Sequence, residues 1–199
     1  MKFYAVLDTN VLVSAFLTKQ TDAATVIVLE LIQKGIIIPM YNNDILAEYS
    51  EVLSRSRFGF APDKVSELTG LIKRIGLDCE RVPVNCLMPD PDDLVFYEVA
   101  LSREDSYLVT GNLKHFPKNG RVVSPADMLT IIEMAEAPKD LLCEPSGPEY
   151  GERVDRDCLK RFRIISEEIR AEVVCSSRAD LTLEEINEEI RLARQEWRG

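Results

Sequence analysis

The sequence predicts an α/β protein: a three-layer α/β/α sandwich with a central parallel sheet, followed by a helical C-terminal tail. Three observations carry that prediction. The strand candidates are short, continuous apolar runs such as FYAVL (3–7) and III (36–38), the pattern of strands buried on both faces. Segments with apolar residues at helical spacing separate them, as expected of strand–helix–strand crossovers. After residue 136 the pattern stops in EAPKDLLCEPSGPEYG, which holds three prolines and two glycines and reads as a linker.

In chain order, residues 2–7 are the first strand. Val11 to Leu17 begin a short helix, and Ala23 to Lys34 form another that Gly35 ends. Ile36 to Ile38 make a second strand, stopped by Pro39. Asn42 or Asn43 caps a helix over about 44–55, with Ile45, Leu46, Tyr49, Val52 and Leu53 on one face. Pro62 and Asp63 open a helix from Val65 to Ile75, and Cys79 to Val84 suggests a strand. Asp92 or Asp93 starts a helix to about Arg103. Tyr107 to Val109 and Arg121 to Val123 are further strands, and Ser124-Pro125 starts a helix to about Ala135. The expected organisation is a domain over 1–136, a linker over 137–151 and a tail over 152–199.

Composition narrows the function. Hydrophobic residues make up 46% and charged residues 29%, the balance of a soluble globular chain. No apolar stretch reaches the roughly 18–20 residues of a membrane span, and the apolar start is broken by Asp8 rather than ended by a cleavage site. Five scattered cysteines without a C-x-x-C pair fit free thiols in a reducing cytoplasm. The net charge of −10 excludes nucleic-acid binding by bulk attraction but not a nuclease, because a bound cation reverses the sign at an acidic site.

The acidic residues have an order. Asp8 ends the first strand, on the rim where open parallel sheets bind ligands. Glu48 has apolar Ile45 and Val52 as helical neighbours and so faces inward, where it needs a partner or a shared cation. Asp90, Asp92 and Asp93 cluster at a helix start, and Thr110-Gly111-Asn112 follows a later strand. Each has a plain alternative: Asp8, Asn10 and the 90–93 acids also suit helix caps, and a lone Glu is usually solvated. Taken together they converge on one point, where packed carboxylates call for a hard cation, Mg²⁺ or Mn²⁺. Two such ions steady the attacking and leaving oxygens of phosphodiester hydrolysis.

Asp8-Thr9-Asn10-Val11 after a strand, Glu48 on the next helix, Asp93 at a later helix start and Thr110-Gly111-Asn112 resemble a PIN-domain ribonuclease over about residues 1–135. The resemblance implies endonucleolytic RNA cleavage with Mg²⁺ or Mn²⁺, and often a homodimeric toxin of a toxin–antitoxin module. It assigns Asp8, Glu48 and Asp93 as metal ligands and, with Asn112, as the catalytic set. Asn10, Thr110, Asp90 and Asp92 support them, and any of the three acids over 90–93 suits the third ligand. Asn112 departs from the family's usual Asp and supplies no charge for a second ion.

Other chemistries are poorly served. There is no G-x-S-x-G elbow and no G-x-x-x-x-G-K-[ST] loop, and the single His115 reads as a loop residue that packs or meets phosphate. Arg55, Arg57, Phe58 and Phe60 suit either an RNA groove or a helix end followed by a core anchor. In the tail, 153–174 reads as a helix. Thr182 and Glu185 form a capping box for a second one, whose apolar stripe comprises Leu183, Ile186, Ile190, Ala193 and Trp197. This tail resembles the C-terminal segment of the antitoxins that accompany PIN toxins and place a basic side chain among the toxin's acids, with Arg191, Arg194 and Arg198 as candidates. It equally suits a packing or dimerisation helix. A PIN-shaped regulatory module, its acidic site filled by its own tail, is the alternative to an active nuclease.

Overall fold

The computed structural model describes residues 1–136, 155–174 and 181–198. The predicted linker therefore lies outside the described residues, as do Val154 and the side chain of Arg198. Five strands, β1 (Phe3–Leu7), β2 (Ile37–Tyr41), β3 (Leu77–Asp78), β4 (Ser106–Val109) and β5 (Val122–Val123), form one sheet in the order β3-β2-β1-β4-β5. Every pairing is parallel. Apolar β1 and β2 are buried on both faces because helices cover both sides, which is why their sequences do not alternate.

The helices are α1 (Thr9–Leu17), α2 (Ala24–Gln33), α3 (Asn43–Leu53), α4 (Pro62–Ile75), α5 (Leu94–Ala100), α6 (Pro125–Glu136), α7 (Arg156–Val174) and α8 (Leu183–Arg198). Gly35, with φ +68°, takes the left-handed turn that ends α2 and starts β2. Asn42 caps α3, its Oδ1 accepting from Ile45 N–H at 2.9 Å.

Three expectations change. β2 does not stop at Pro39 but continues to Tyr41. Phe3 N–H donates to Ile36 O, so the odd-numbered residues of β2 turn their N–H toward β3, and β3 pairs only from Met40 onward. Pro39 thus lacks a donor where no ladder partner waits. The strand expected over 79–84 is reduced to the two residues before it. Val82 N–H donates to Glu98 O, and Val84 N–H to the Glu98 carboxylate at 3.0 Å, so α5 satisfies this backbone instead of a neighbouring strand. The helix expected from Asp92 to Arg103 splits into a 3₁₀ turn, Pro91–Asp93, and the shorter α5.

Both tail helices dock on the domain. Helix α7 lies on α1, α2 and α4, and Phe162, Ile165, Ile169 and Val173 join the same apolar cluster as the sheet. Lys64 bridges Glu168 and Glu172 around this contact, and Arg161 pairs with Glu67. Helix α8 lies on α1 and α3, with its capping box closed through Thr182 and Glu185. It buries Ile186, Ile190 and Ala193, whereas Trp197, expected in this stripe, is 65% exposed. The apolar stripe ends one turn early, and the last buried place is taken by Arg194.

Because Phe162 is wholly buried in the shared core, Phe162→Ala is expected to lower unfolding stability by about 3–5 kcal/mol in denaturant titration. A loss below about 1 kcal/mol would mean that α7 rests on the domain without completing its core.

Candidate active site

The chain leaves β1 for β2 and β3 on one side of the sheet, then returns to β4 on the other. The reversal opens a crevice at the carboxyl ends of β1 and β4, the usual place for a ligand in such sheets. Asp8 and Thr110 stand at those two ends, held level because Asp8 N–H donates to Val109 O at 2.9 Å. Thr110 Oγ1 donates to Asp8 Oδ2 at 2.6 Å, and Asn10 Nδ2 donates to the same oxygen at 2.8 Å. The cap interpretation of Asp8 also holds, since its carboxylate accepts from Asn10 N–H at the start of α1. One side chain therefore starts a helix and faces the crevice.

Glu48 is 7% exposed at the middle of α3 and turns toward Asp8. Its place is fixed twice. Tyr49, the next residue, donates its hydroxyl to Leu7 O, tying α3 to the end of β1. Thr9 Oγ1 donates to Glu48 Oε1 at 2.6 Å. The 3₁₀ turn sorts the three acids left open above. Asp90 caps the turn, accepting from Asp92 N–H at 3.1 Å. Asp93 caps nothing with its side chain and is buried facing the crevice. Asp92 is half-buried on the cavity wall.

The centre of this group is a guanidinium. Arg194 of α8 donates from Nε to Glu48 Oε2 at 3.1 Å and from Nη2 to Glu48 Oε1 at 2.8 Å. Its Nη1 donates to Asp93 Oδ1 at 2.8 Å and to Asp90 Oδ2 at 2.9 Å. Of the three arginines named for the tail, Arg194 is the one among the described side chains that enters, while Arg191 pairs with Glu188 on the surface of α8. Helix α8 makes a second contact through Asn187, whose Oδ1 accepts from Asn10 Nδ2 at 3.2 Å. Gly111 permits the close approach: a Cβ there would stand 3.1 Å from Leu183 and 3.2 Å from Asn10 Oδ1. A cavity of about 850 Å³ remains between α8 and the rim, lined by Asp8, Asp93, Asn112 and His115.

The electrostatics follow from burial. Burial pushes the Asp8 carboxyl up to about 7, helped by the negative charge of Asp93 and opposed by Arg194 and the Thr110 hydroxyl. Burial also raises Glu48, against the opposing pull of Arg194. For Arg194 burial disfavours the charge, but Glu48, Asp93 and Asp8 outweigh it and hold the guanidinium more firmly protonated than in water.

Some roles differ from those expected. His115 reaches the site: its Nδ1 lies 2.8 Å from Asp93 Oδ2, on the side away from Arg194. Asn10 is the buried amide of the cluster, its Oδ1 accepting from Gly111 N–H, while Asn112 lies on the cavity wall with its backbone N–H on Thr110. The Thr9–Glu48 bond carried no signal in the sequence, since a threonine after Asp8 suits the helix start equally well. Among the described residues, no three His, Cys, Asp or Glu side chains are grouped to hold a metal ion as they stand. The donor set nonetheless fits a hard cation: three buried carboxylates gather around one positive charge, and all their donors are oxygen.

No curated protein and no solved structure matches the chain. The PIN domain family does, over residues 4–114. That span begins in β1, ends just past Thr110 and contains Asp8, Glu48 and Asp93, and it leaves α7 and α8 outside. By a match over more than half its length, on the elements that build the acidic crevice, the chain belongs to the PIN-domain family, whose members are generally nucleases.

Proposed function

We propose that this protein is a metal-dependent endoribonuclease that hydrolyses RNA phosphodiester bonds, of the kind that serves as the toxin of a toxin–antitoxin module, and that its own α8 holds it closed. The observation that carries this reading is the gathering of Asp8, Glu48 and Asp93 around a cation at the crevice of a PIN fold. Family members typically use divalent metals. Here Asp8, Glu48 and Asp93 would hold Mg²⁺ or Mn²⁺ once Arg194 withdraws. The ion would supply Lewis-acid stabilisation of the charge that develops on the phosphate and leaving oxygens.

The chain's own groups prepare that site. Thr110 and Asn10 orient the Asp8 carboxylate, and Thr9 orients Glu48. His115 holds the outer oxygen of Asp93, leaving the inner one facing the crevice. Asn112, on the cavity wall, presents an amide to a phosphate or a water without adding charge. Arg194 competes with the ion for the oxygens of Glu48 and Asp93, so closed protein and metal-loaded protein exclude each other.

A second reading has one observation in its favour, the same arginine: a PIN-shaped regulatory module in which the tail fills the acidic site permanently. Point variants separate the two, whereas deleting the tail would strip Phe162 and its neighbours from the core. By isothermal titration, Arg194→Ala is expected to bind Mn²⁺ about tenfold or more tighter than wild type, a gain of about 1.4 kcal/mol or more. It should also cleave RNA with Mn²⁺ present. Asp8→Asn added to that variant should reduce cleavage by about 10²-fold or more. A folded Arg194→Ala that neither takes up Mn²⁺ nor cleaves RNA selects the regulatory module.

Removing one partner of a buried charge network typically costs about 3–5 kcal/mol. Without metal, Arg194→Ala is therefore expected to lower stability on that scale. Mn²⁺ should restore part of the loss and leave wild type almost unchanged in thermal unfolding, since an ion stabilises only the form that binds it.

A further inference from the structure

Helix α8 carries more than Arg194. Glu185, Glu189 and Glu196 recur at spacings of four and seven, which puts them along one flank of the helix. Arg194 falls on the opposite flank, across the buried stripe of Ile186, Ile190 and Ala193. The acidic flank meets two arginines just beyond the end of α3. Arg55 Nε donates to Glu189 Oε1 at 2.8 Å, and its Nη1 and Nη2 grip the two oxygens of Glu196. Arg57 pairs with Glu185 at 3.5 Å and faces Glu189 at 3.9 Å. The aromatic residues beside them do not belong to this surface: Phe58 and Phe60 are buried core anchors stacked on each other.

The arginines and the acidic site hold opposite flanks of the same helix. Arg55 lies two residues past the end of α3 and holds Glu189, which precedes Arg194 by five residues on α8, about 7.5 Å along that helix. The crevice wall itself carries Lys114 and Arg191, while Arg55 and Arg57 stand outside that lining, past the end of α3. Arg55 grips Glu196 through the fork geometry with which a guanidinium holds a carboxylate or a phosphate alike. The pairs Arg55–Glu196 and Arg57–Glu185 are solvent-exposed and of a kind that adds little to stability, whereas Arg55–Glu189 is largely shielded and helps to hold α8 in place.

We infer that Arg55 and Arg57 form a seat for RNA backbone phosphates beside the scissile bond, and that Glu185, Glu189 and Glu196 of α8 occupy it as phosphate surrogates. Helix α8 then covers the nuclease with complementary charge on both flanks: a cation where the metal belongs and carboxylates where the substrate strand lies. The position of the seat relative to a scissile bond rests on the nuclease function proposed above, but its affinity for RNA does not need metal.

The test uses the full chain with EDTA and a fluorescein-labelled 20-nucleotide single-stranded RNA of mixed sequence, read by fluorescence anisotropy. Glu185→Gln/Glu189→Gln/Glu196→Gln is expected to bind this RNA about tenfold or more tighter than wild type. Arg55→Ala/Arg57→Ala added to it should abolish the gain and lower the slope of log K against log salt by about 1.4, the contribution of two phosphates on a single strand. Glu104→Gln/Glu133→Gln/Glu167→Gln, with the same change in net charge away from α8, should gain much less. Equal tightening by the two triple variants, or a gain that survives loss of both arginines, would overturn the seat. Absence of Mn²⁺-dependent cleavage in Arg194→Ala bears on the nuclease function alone and leaves this binding result to stand or fall separately.

Discussion

The guanidinium of Arg194 neutralises carboxylates that the fold would otherwise bury at close quarters. Asp8, Glu48 and Asp93 are each nearly removed from solvent, and isolated ions of one sign there would be strongly disfavoured. Three resolutions exist: the acids take up protons, a metal ion joins them, or a side chain brings its own charge. Burial already pushes Asp8 toward the first. The structure shows the third, with Glu48 held through both of its oxygens. A planar fork suits that task because it reaches two carboxylates at once, which an ammonium on a flexible stem would do less well.

The order of the strands places the problem where it is. Because the sheet grows first to one side of β1 and then to the other, the ends of β1 and β4 lie side by side with no crossover between them. Asp8 and Thr110 inherit that opening. Helix α3 brings Glu48 to it, and the Tyr49 hydroxyl on Leu7 O fixes the distance. The 3₁₀ turn brings Asp93 from the far side. Few of these residues are neighbours in sequence, yet each side chain is fixed by a group of the domain itself: Asp8 by Thr110 and Asn10, Glu48 by Thr9, and Asp93 by His115.

Much of this was legible in the residues. Apolar runs ending in polar residues marked the rim, and the inward face of α3 could be read from Ile45 and Val52 on either side of Glu48. The capping box at Thr182 and Glu185 announced α8 correctly. What escaped was decided by tertiary partners. Asp90 and Asp93 are chemically alike and both meet Arg194, and only the turn geometry makes Asp90 a cap as well and buries Asp93 more deeply. Thr9 has the same local meaning whether or not a glutamate faces it. His115 joins Asp93 across 22 residues, a pairing that no spacing rule encodes. Pro39 misled because a proline is harmless to a strand whose neighbour starts late. Trp197 misled because periodicity says which residues share a face, not where the surface beneath them ends.

Arg194 and the carboxylates it meets belong to one molecule, and that fixes their ratio. An inhibitor on a separate polypeptide loses its hold as both are diluted, or when it is degraded faster than its target. A covalently joined helix competes at an effective concentration set by its tether, on the millimolar scale for short flexible connections, whatever the amount of protein in solution. Under the function proposed above, opening is an internal equilibrium, and dilution alone leaves the fraction of open molecules unchanged.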